Sequence, residues 1–200
     1  MEKKYVSFDV EASGPTPGRY SMLSLGACVV GNTGVQFYRE LKPLNMNYVL
    51  EAIRIGCLGL QCLEDLKHLP EYNPKNPNFD PLAVLGALEK TGSKPEDAMA
   101  DYAKWVLENT QGFRPVEVAA PIKFDGMFST WYFDNFYNKE NPLGYSGEDM
   151  SSMYRGATGN VNAGINEIKI PERGQNHNAL QDAVYQAKKF ERILELMKGK

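Results

Sequence analysis

The segment from Tyr5 to Glu11 constrains the fold of this chain more than any other part of the sequence. Every second residue from Val6 to Val10 is apolar, and this period of two is typical of a β-strand with one buried face. The opposite face then carries Asp9 and Glu11, with Cα atoms roughly 6.5 Å apart. The sequence therefore predicts a core strand that presents two neighbouring carboxylates.

The rest of the chain predicts further strands and, later, helices. Met22–Val30 and Val35–Lys42 predict two strands joined by a turn at residues 31–34, and residues 116–120 predict a late strand. Residues 43–94 are less regular, with a partly helical stretch at 48–69 followed by a proline-rich loop. Strands first, then helices interleaved with a late strand, predict a single α/β domain over residues 1–200.

Local signals predict four helices from residue 80 onwards. Asp80-Pro81 suits a helix start, and Ser93 with Glu96 resembles a capping box that opens a helix to about Asn109. An aromatic-rich helix is predicted over residues 124–136, with Phe128, Trp131, Tyr132 and Phe136 towards the core. The final helix has a clear apolar stripe, formed by Leu180, Ala183, Val184, Ala187, Phe190, Leu194 and Met197.

Composition limits the classes of function. The net charge of −3 argues against tight, sequence-indifferent binding to duplex, which usually needs a basic excess. Basic residues of the final helix, Lys189 among them, alternate with acids and predict a solvated face. No run of about 18 apolar residues predicts a membrane span, and three cysteines without framework spacing favour a reduced, cytoplasmic protein.

The residues alone leave two interpretations of the carboxylates open. Asp9 and Glu11 would repel each other unless a cation lies between them. A hard divalent ion, which prefers oxygen ligands, would offset this repulsion. They could equally be solvated charges. Likewise, Asp182 could stabilise the positive end of a helix dipole, and His177 could belong to the helix cap.

The combination of motifs resembles one enzyme family. Asp9-Val10-Glu11-Ala12-Ser13-Gly14 resembles the first motif, D-x-E-x-x-G, of the DEDDh 3′→5′ exonucleases, which include proofreading exonucleases, ribonuclease T and oligoribonuclease. The five-residue step from His177 to Asp182 resembles the third motif, and Phe124-Asp125 the second. The chain departs from the family at Pro121-Ile122, where His-Asn is frequent, and at Ser24, where an acid is common.

The resemblance implies a fold and a mechanism. We expect a ribonuclease-H-like fold, with a central mixed β-sheet flanked by helices. Asp9, Glu11, Asp125 and Asp182 would hold two divalent ions, Mg²⁺ or Mn²⁺, for in-line hydrolysis. His177 would be the general base that takes a proton from the attacking water. The terminal nucleotide would lie beside the residues that follow or adjoin the ligands, namely Ala12, Ser13, Gly14 and Phe124.

The expected partner is the 3′ end of single-stranded RNA, DNA or a short oligonucleotide, released as nucleoside 5′-monophosphates, with no membrane partner. The sequence does not choose between RNA and DNA, because the discriminating contact is to the 2′-hydroxyl. The sequence does not decide whether the protein forms a homodimer, and it does not indicate the role of residues 43–94. Two alternatives are a weakly active or inactive nucleic-acid or partner-binding module on the same scaffold, and a hydrolase of a non-nucleic phosphodiester.

Overall fold

The fold is described from a computed structural model, which defines residues 1–171, 174 and 177–198. Five strands form one sheet in the order β3-β2-β1-β4-β5. The outer strands on one side are antiparallel to their neighbours, whereas β1, β4 and β5 run parallel. The strands are β1 (Lys3–Ala12), β2 (Met22–Val29), β3 (Asn32–Glu40), β4 (Arg114–Ala119) and β5 (Gly147–Asp149).

Helices flank the sheet and are joined in places by 3-10 turns at Gln61–Leu63, Pro70–Tyr72 and Ile165–Glu167. They are α1 (Leu50–Gly56), α2 (Pro81–Thr91), α3 (Pro95–Asn109), α4 (Ile122–Phe136), α5 (Met150–Thr158) and α6 (Ala179–Lys198). Asp80 caps α2 as predicted, with its carboxylate accepting from the Leu82 N–H at 2.9 Å. Across the described ranges, no helix is long and apolar enough to cross a membrane.

The alternation predicted for β1 is confirmed and separates two layers. Val6, Phe8 and Val10 join the core formed with α3 and α4. Ser7 faces the other layer, where its hydroxyl donates to the Ala183 carbonyl of α6 at 2.8 Å. Since Asp9 and Glu11 continue the Ser7 face of the strand, they lie on the side of the sheet that α6 covers.

Aromatic residues of α4 fill the first layer, as predicted. Phe128 and Tyr132 are fully buried, while Trp131 and Phe136 pack partly buried against the same cluster. The Tyr132 hydroxyl also accepts a hydrogen bond from the Met22 N–H at 2.7 Å. Helix α4 is therefore fixed to the start of β2 by a polar contact within an apolar layer.

Residues 43–94 form a satellite layer of the core rather than an open loop. Apolar residues of α1 and α2, including Ile53 and Leu85, are buried together with Leu23 of β2. The segment is tied to the sheet by Glu40, whose carboxylate accepts from the N–H groups of Gln61 and Cys62. Cys28 and Cys57 are buried free thiols.

Three local predictions were wrong. The four-residue turn at 31–34 is tighter, because β3 already begins at Asn32. The capping box of Ser93 does not form, since α3 begins at Pro95 and the Ser93 backbone instead pairs with Glu40 and Lys42. Met197 of the predicted stripe is 47% exposed, because it lies beyond Ile193, the last buried position among the described residues of α6.

Candidate active site

Strand β1 contributes the first two acids at its C-terminal end. Asp9 pairs with Gly26 of β2, and Glu11 pairs with Ser24. The register shifts directly after Glu11, and such irregularities often re-aim side chains beside functional sites. Glu11 is 8% exposed and Asp9 is partly buried, so both carboxylates lie in a cleft rather than on an open surface.

Asp125 reaches the same place from α4. It occupies the first turn of that helix and is buried. Its Oδ1 accepts a hydrogen bond from the backbone N–H of Val10 at 3.0 Å, so the carboxylate is held against the strand segment between Asp9 and Glu11. The structure therefore places the acid of Phe124-Asp125 against β1, and its role as a metal ligand stays a prediction.

His177 and Asp182 are positioned by the start of α6. The backbone N–H of His177 donates to Asp182 Oδ2 at 2.7 Å, and the His177 φ of 59° turns the chain sharply before the helix. Asn178 adds a cap, because its Oδ1 accepts from the Gln181 N–H at 3.0 Å and its Nδ2 donates to the Gly59 carbonyl at 2.8 Å. The predicted motif therefore forms one compact turn.

Two glycines allow this turn to approach the rest of the protein. A Cβ at Gly26 would lie 2.2 Å from the Leu180 backbone nitrogen, so α6 begins in direct contact with β2 beside Asp9. A Cβ at Gly59 would lie 2.3 Å from the His177 carbonyl oxygen. Only the absence of a side chain at both positions permits such contacts.

Burial and neighbouring charges raise the pKa of Asp9, Glu11 and Asp125. Burial, followed by the charges of Asp125, Glu11 and Asp182, raises the pKa of Asp9 well above its usual range. Burial, and then Asp182 and Asp125, raises the pKa of Glu11 to about 8. Burial raises the pKa of Asp125 to about 7, although the Val10 N–H opposes the shift. A bound cation would relieve this repulsion.

Glu11, His177 and Asp182 could share a metal ion. Each offers a ligand atom, and these atoms all lie within 4.8 Å of one another. Asp9 and Asp125 fall outside this triplet, but the negative charge of Asp182 contributes to the raised pKa of both. The structure thus brings the five predicted catalytic residues to one site.

Two cavities adjoin the acids. One of about 260 Å³ is lined by Asp9, His177 and Asp182 together with Gln186 and Lys189 of α6.

The other cavity, of about 420 Å³, is mostly apolar, and Glu11 lines it. Ala12, Gly14 and Phe124 line it, as do Val49 and Ile55 from the segment before and within α1. Ser13 differs from its neighbours because it is fully buried, and its hydroxyl donates to the Asn47 carbonyl and accepts from the Ser21 N–H. The substrate contacts predicted for Ala12, Ser13, Gly14 and Phe124 stay predictions. The Ser13 side chain stabilises the local fold through its two hydrogen bonds.

Sequence reasoning missed two residues of the site. Lys189 was predicted on a solvated face, which is wrong: it is 4% exposed, and its Nζ donates to the Ile165 carbonyl at 3.1 Å. Gln186 donates from Nε2 to Asp9 Oδ1 at 2.8 Å. Its spacing of four from Asp182 puts both on one face of α6, and this signal could have identified it.

Comparisons with known proteins agree with the geometry. The chain is 32% identical over 202 residues to a protein of Escherichia coli named 3′-5′ DNA exonuclease Cap18, covering 98% of this chain and 94% of the relative. No protein-family model matches the chain.

Solved structures of Escherichia coli Exonuclease I resemble the fold. A complex with a 5cy-dT13 oligonucleotide has a TM-score of 0.61 at 13% identity and covers 100% of this chain. The zinc-bound form of a complex with single-stranded DNA has a TM-score of 0.63 at 12% identity, also over 100% of this chain. The chain spans only 43% and 42% of the Exonuclease I chain in these two structures.

The predicted ribonuclease-H-like architecture, a mixed sheet flanked by helices, is confirmed. With its near-complete coverage of a curated relative, the chain belongs to the DEDDh family of 3′→5′ exonucleases. The expectation of an enzyme, rather than an inactive module, is confirmed at this level.

Proposed function

We propose that this exonuclease removes nucleotides from the 3′ end of single-stranded DNA in a reaction that depends on divalent metal ions. The observation that carries the proposal is the convergence of acids from β1, α4 and α6 on His177, with three ligand groups within 4.8 Å. The name of the Escherichia coli relative and the oligodeoxynucleotides bound to Exonuclease I support DNA as the substrate.

The donor set fits a hard divalent cation. Carboxylate oxygens are the ligands that Mg²⁺ and Mn²⁺ prefer. Burial, and then the neighbouring acids, raise the pKa of Asp9, Glu11 and Asp125, and a bound positive charge would offset both effects. Asp9, Glu11 and Asp182 would hold one ion, and Asp9 with Asp125 would hold a second. Such ions stabilise charge on the attacking and leaving oxygens.

His177 would act as the general base. A nitrogen of its ring lies within 4.8 Å of carboxylate oxygens of Glu11 and Asp182, and its backbone is fixed through the bond to Asp182 Oδ2. An imidazole at the edge of an acidic cleft can take a proton from the attacking water near neutral pH. The leaving group is the 3′-oxygen of the preceding nucleotide, and the product is a nucleoside 5′-monophosphate.

The apolar cavity beside Glu11 suits the terminal nucleotide. Its volume of about 420 Å³ and its lining by Phe124, Val49 and Ile55 offer an apolar face to a base. The backbone at Ala12 and Gly14 forms another wall. An aromatic face binds any unpaired base by stacking, at about 1–3 kcal/mol per base, which favours single strands over duplex ends.

A gel time course tests the proposal. 5′-labelled DNA and RNA oligonucleotides would be incubated with Mg²⁺, Mn²⁺ or EDTA, using Asp9→Asn and the exposed-site control Asp134→Asn. We expect a metal-dependent ladder that shortens from the 3′ end with wild type and Asp134→Asn but not with Asp9→Asn. His177→Ala should lower kcat more than it raises KM. Wild-type cleavage by Asp9→Asn would refute the assigned roles, and a preference for RNA would refute the substrate.

A further inference from the structure

Gln186 connects the C-terminal helix to the first acid of the site. It lies one turn after Asp182 on α6, and it lines the same cavity as Asp9 and His177. Its Nε2 donates to Asp9 Oδ1 at 2.8 Å, across 177 positions of the chain. Helix α6 therefore supplies both a candidate ligand, Asp182, and a group that fixes the orientation of another ligand.

The other end of the Gln186 amide gives a second, independent observation. Its Oε1 is buried and has no hydrogen-bond partner among the described residues. An ionised Asp9 only accepts hydrogen bonds, so the N–H end of the amide must face it. The oxygen is then left without a partner among the described residues, and an unsatisfied buried acceptor costs about 1–3 kcal/mol. The bond to Asp9 is thus kept although the other end of the amide is unsatisfied.

We propose that Gln186 is a positioning residue for the metal centre. Its N–H group holds Asp9 by Oδ1 and leaves Oδ2 available for the cation. The inference rests on the proposed function, because it requires Asp9 to bind a metal ion. Groups that orient metal ligands in this way typically change metal affinity or activity by about 10–100-fold when they are replaced.

Mn²⁺ binding without substrate tests the inference directly. Gln186→Met keeps an unbranched side chain of similar length but removes the hydrogen bond to Asp9. The matched control is Gln36→Met, an exposed position on β3 whose side chain bonds only locally to the Thr33 carbonyl among the contacts described. By titration calorimetry, we expect the Mn²⁺ Kd of Gln186→Met to rise at least about ten-fold, and that of Gln36→Met to equal wild type.

A double-mutant cycle with Asp9→Asn identifies the route of the effect. If Gln186 acts through Asp9, Gln186→Met should weaken Mn²⁺ binding much less in the Asp9→Asn background than in the wild type. Equal losses in both backgrounds would overturn the assignment, and so would an unchanged Kd in Gln186→Met. Absence of Mn²⁺ binding in the wild type would instead refute the metal centre, so the two failures are distinguishable.

Gln186→Glu provides a second variant if the methionine substitution prevents folding. It keeps the size of the side chain and one acceptor, but it loses the amide donor to Asp9. At saturating Mn²⁺ we expect kcat to fall by about ten-fold or more, with the KM for the oligonucleotide within about two-fold of wild type. A wild-type kcat in this variant would overturn the positioning role.

Discussion

Replacing Gly26 by alanine tests whether close contact between α6 and β2 sets the geometry of the site. Gly26 pairs with Asp9, and a Cβ there would lie 2.2 Å from the Leu180 nitrogen and 2.3 Å from the Ala179 carbonyl carbon. Both atoms are backbone at the start of α6, so no side-chain rotation relieves the clash. The helix itself must move away from the sheet.

The size of that movement follows from the contact. Ordinary Cβ contacts begin at 3.4 Å, so the start of α6 would shift by about 1 Å, carrying Asp182 away from Asp9. Overpacking of this kind costs about 1–3 kcal/mol in the free energy of unfolding. A misplacement of about 1 Å can lower activity by about 100-fold, and we expect kcat/KM for single-stranded DNA to fall by that order.

The assay combines exonuclease kinetics with urea unfolding of Gly26→Ala and a control, Gly86→Ala. Gly86 lies inside α2, and a Cβ there would meet nothing within 4 Å. The control should gain about 0.5–1 kcal/mol of stability and keep wild-type kcat/KM. Wild-type activity and stability in Gly26→Ala would refute the proposed contact. Lost stability with full activity would refute the link between helix position and catalysis.

Two further substitutions test the core. Burial raises the pKa of Glu117 to about 8 from 4.5, against the opposing hydrogen bond from Ser129, so the folded state binds the extra proton and loses stability as pH rises from about 4.5 to 8. Glu117→Gln should therefore unfold with a free energy a few kcal/mol higher than wild type at pH 8.5, since one pKa unit corresponds to about 1.4 kcal/mol. At pH 4.5 the two proteins should be similarly stable. Melting temperatures that change with pH in the same way in both proteins would contradict this. Tyr132→Phe leaves the buried Met22 N–H without its acceptor and should lower the free energy of urea unfolding by about 1–3 kcal/mol. The control Tyr145→Phe, at a fully exposed position, should have no measurable effect. Equal stability of the two variants would contradict the prediction.

The sequence predicted the parts of the site that depend on local pattern. Alternation in β1 placed Asp9 and Glu11 on one face, and the step from His177 to Asp182 placed both at a helix start. Each of these depends on neighbours within a few residues. The motif resemblance then linked segments that are far apart in the chain.

The missed features depend on contacts between distant segments. Strand β5 has only three residues, and its strand character comes from parallel pairing with β4. In the sequence, Lys189 is one charge among several on an amphipathic helix, whereas in the structure its Nζ donates to the carbonyl of Ile165, 24 residues earlier. No local pattern in the sequence contains that information.

The position of α6 in the chain has a consequence for biosynthesis. Chains emerge and begin to fold from the N-terminal side, so β1 with Asp9 and Glu11 is made long before Asp182 and Gln186. A nascent chain that ends before residue 179 can pair β1 with β2 and β2 with β3, yet it lacks one candidate ligand and the residue bound to another. We therefore expect the site to be complete only after α6 has packed against the sheet, and local undocking of this helix to inactivate the folded enzyme without unfolding its sheet.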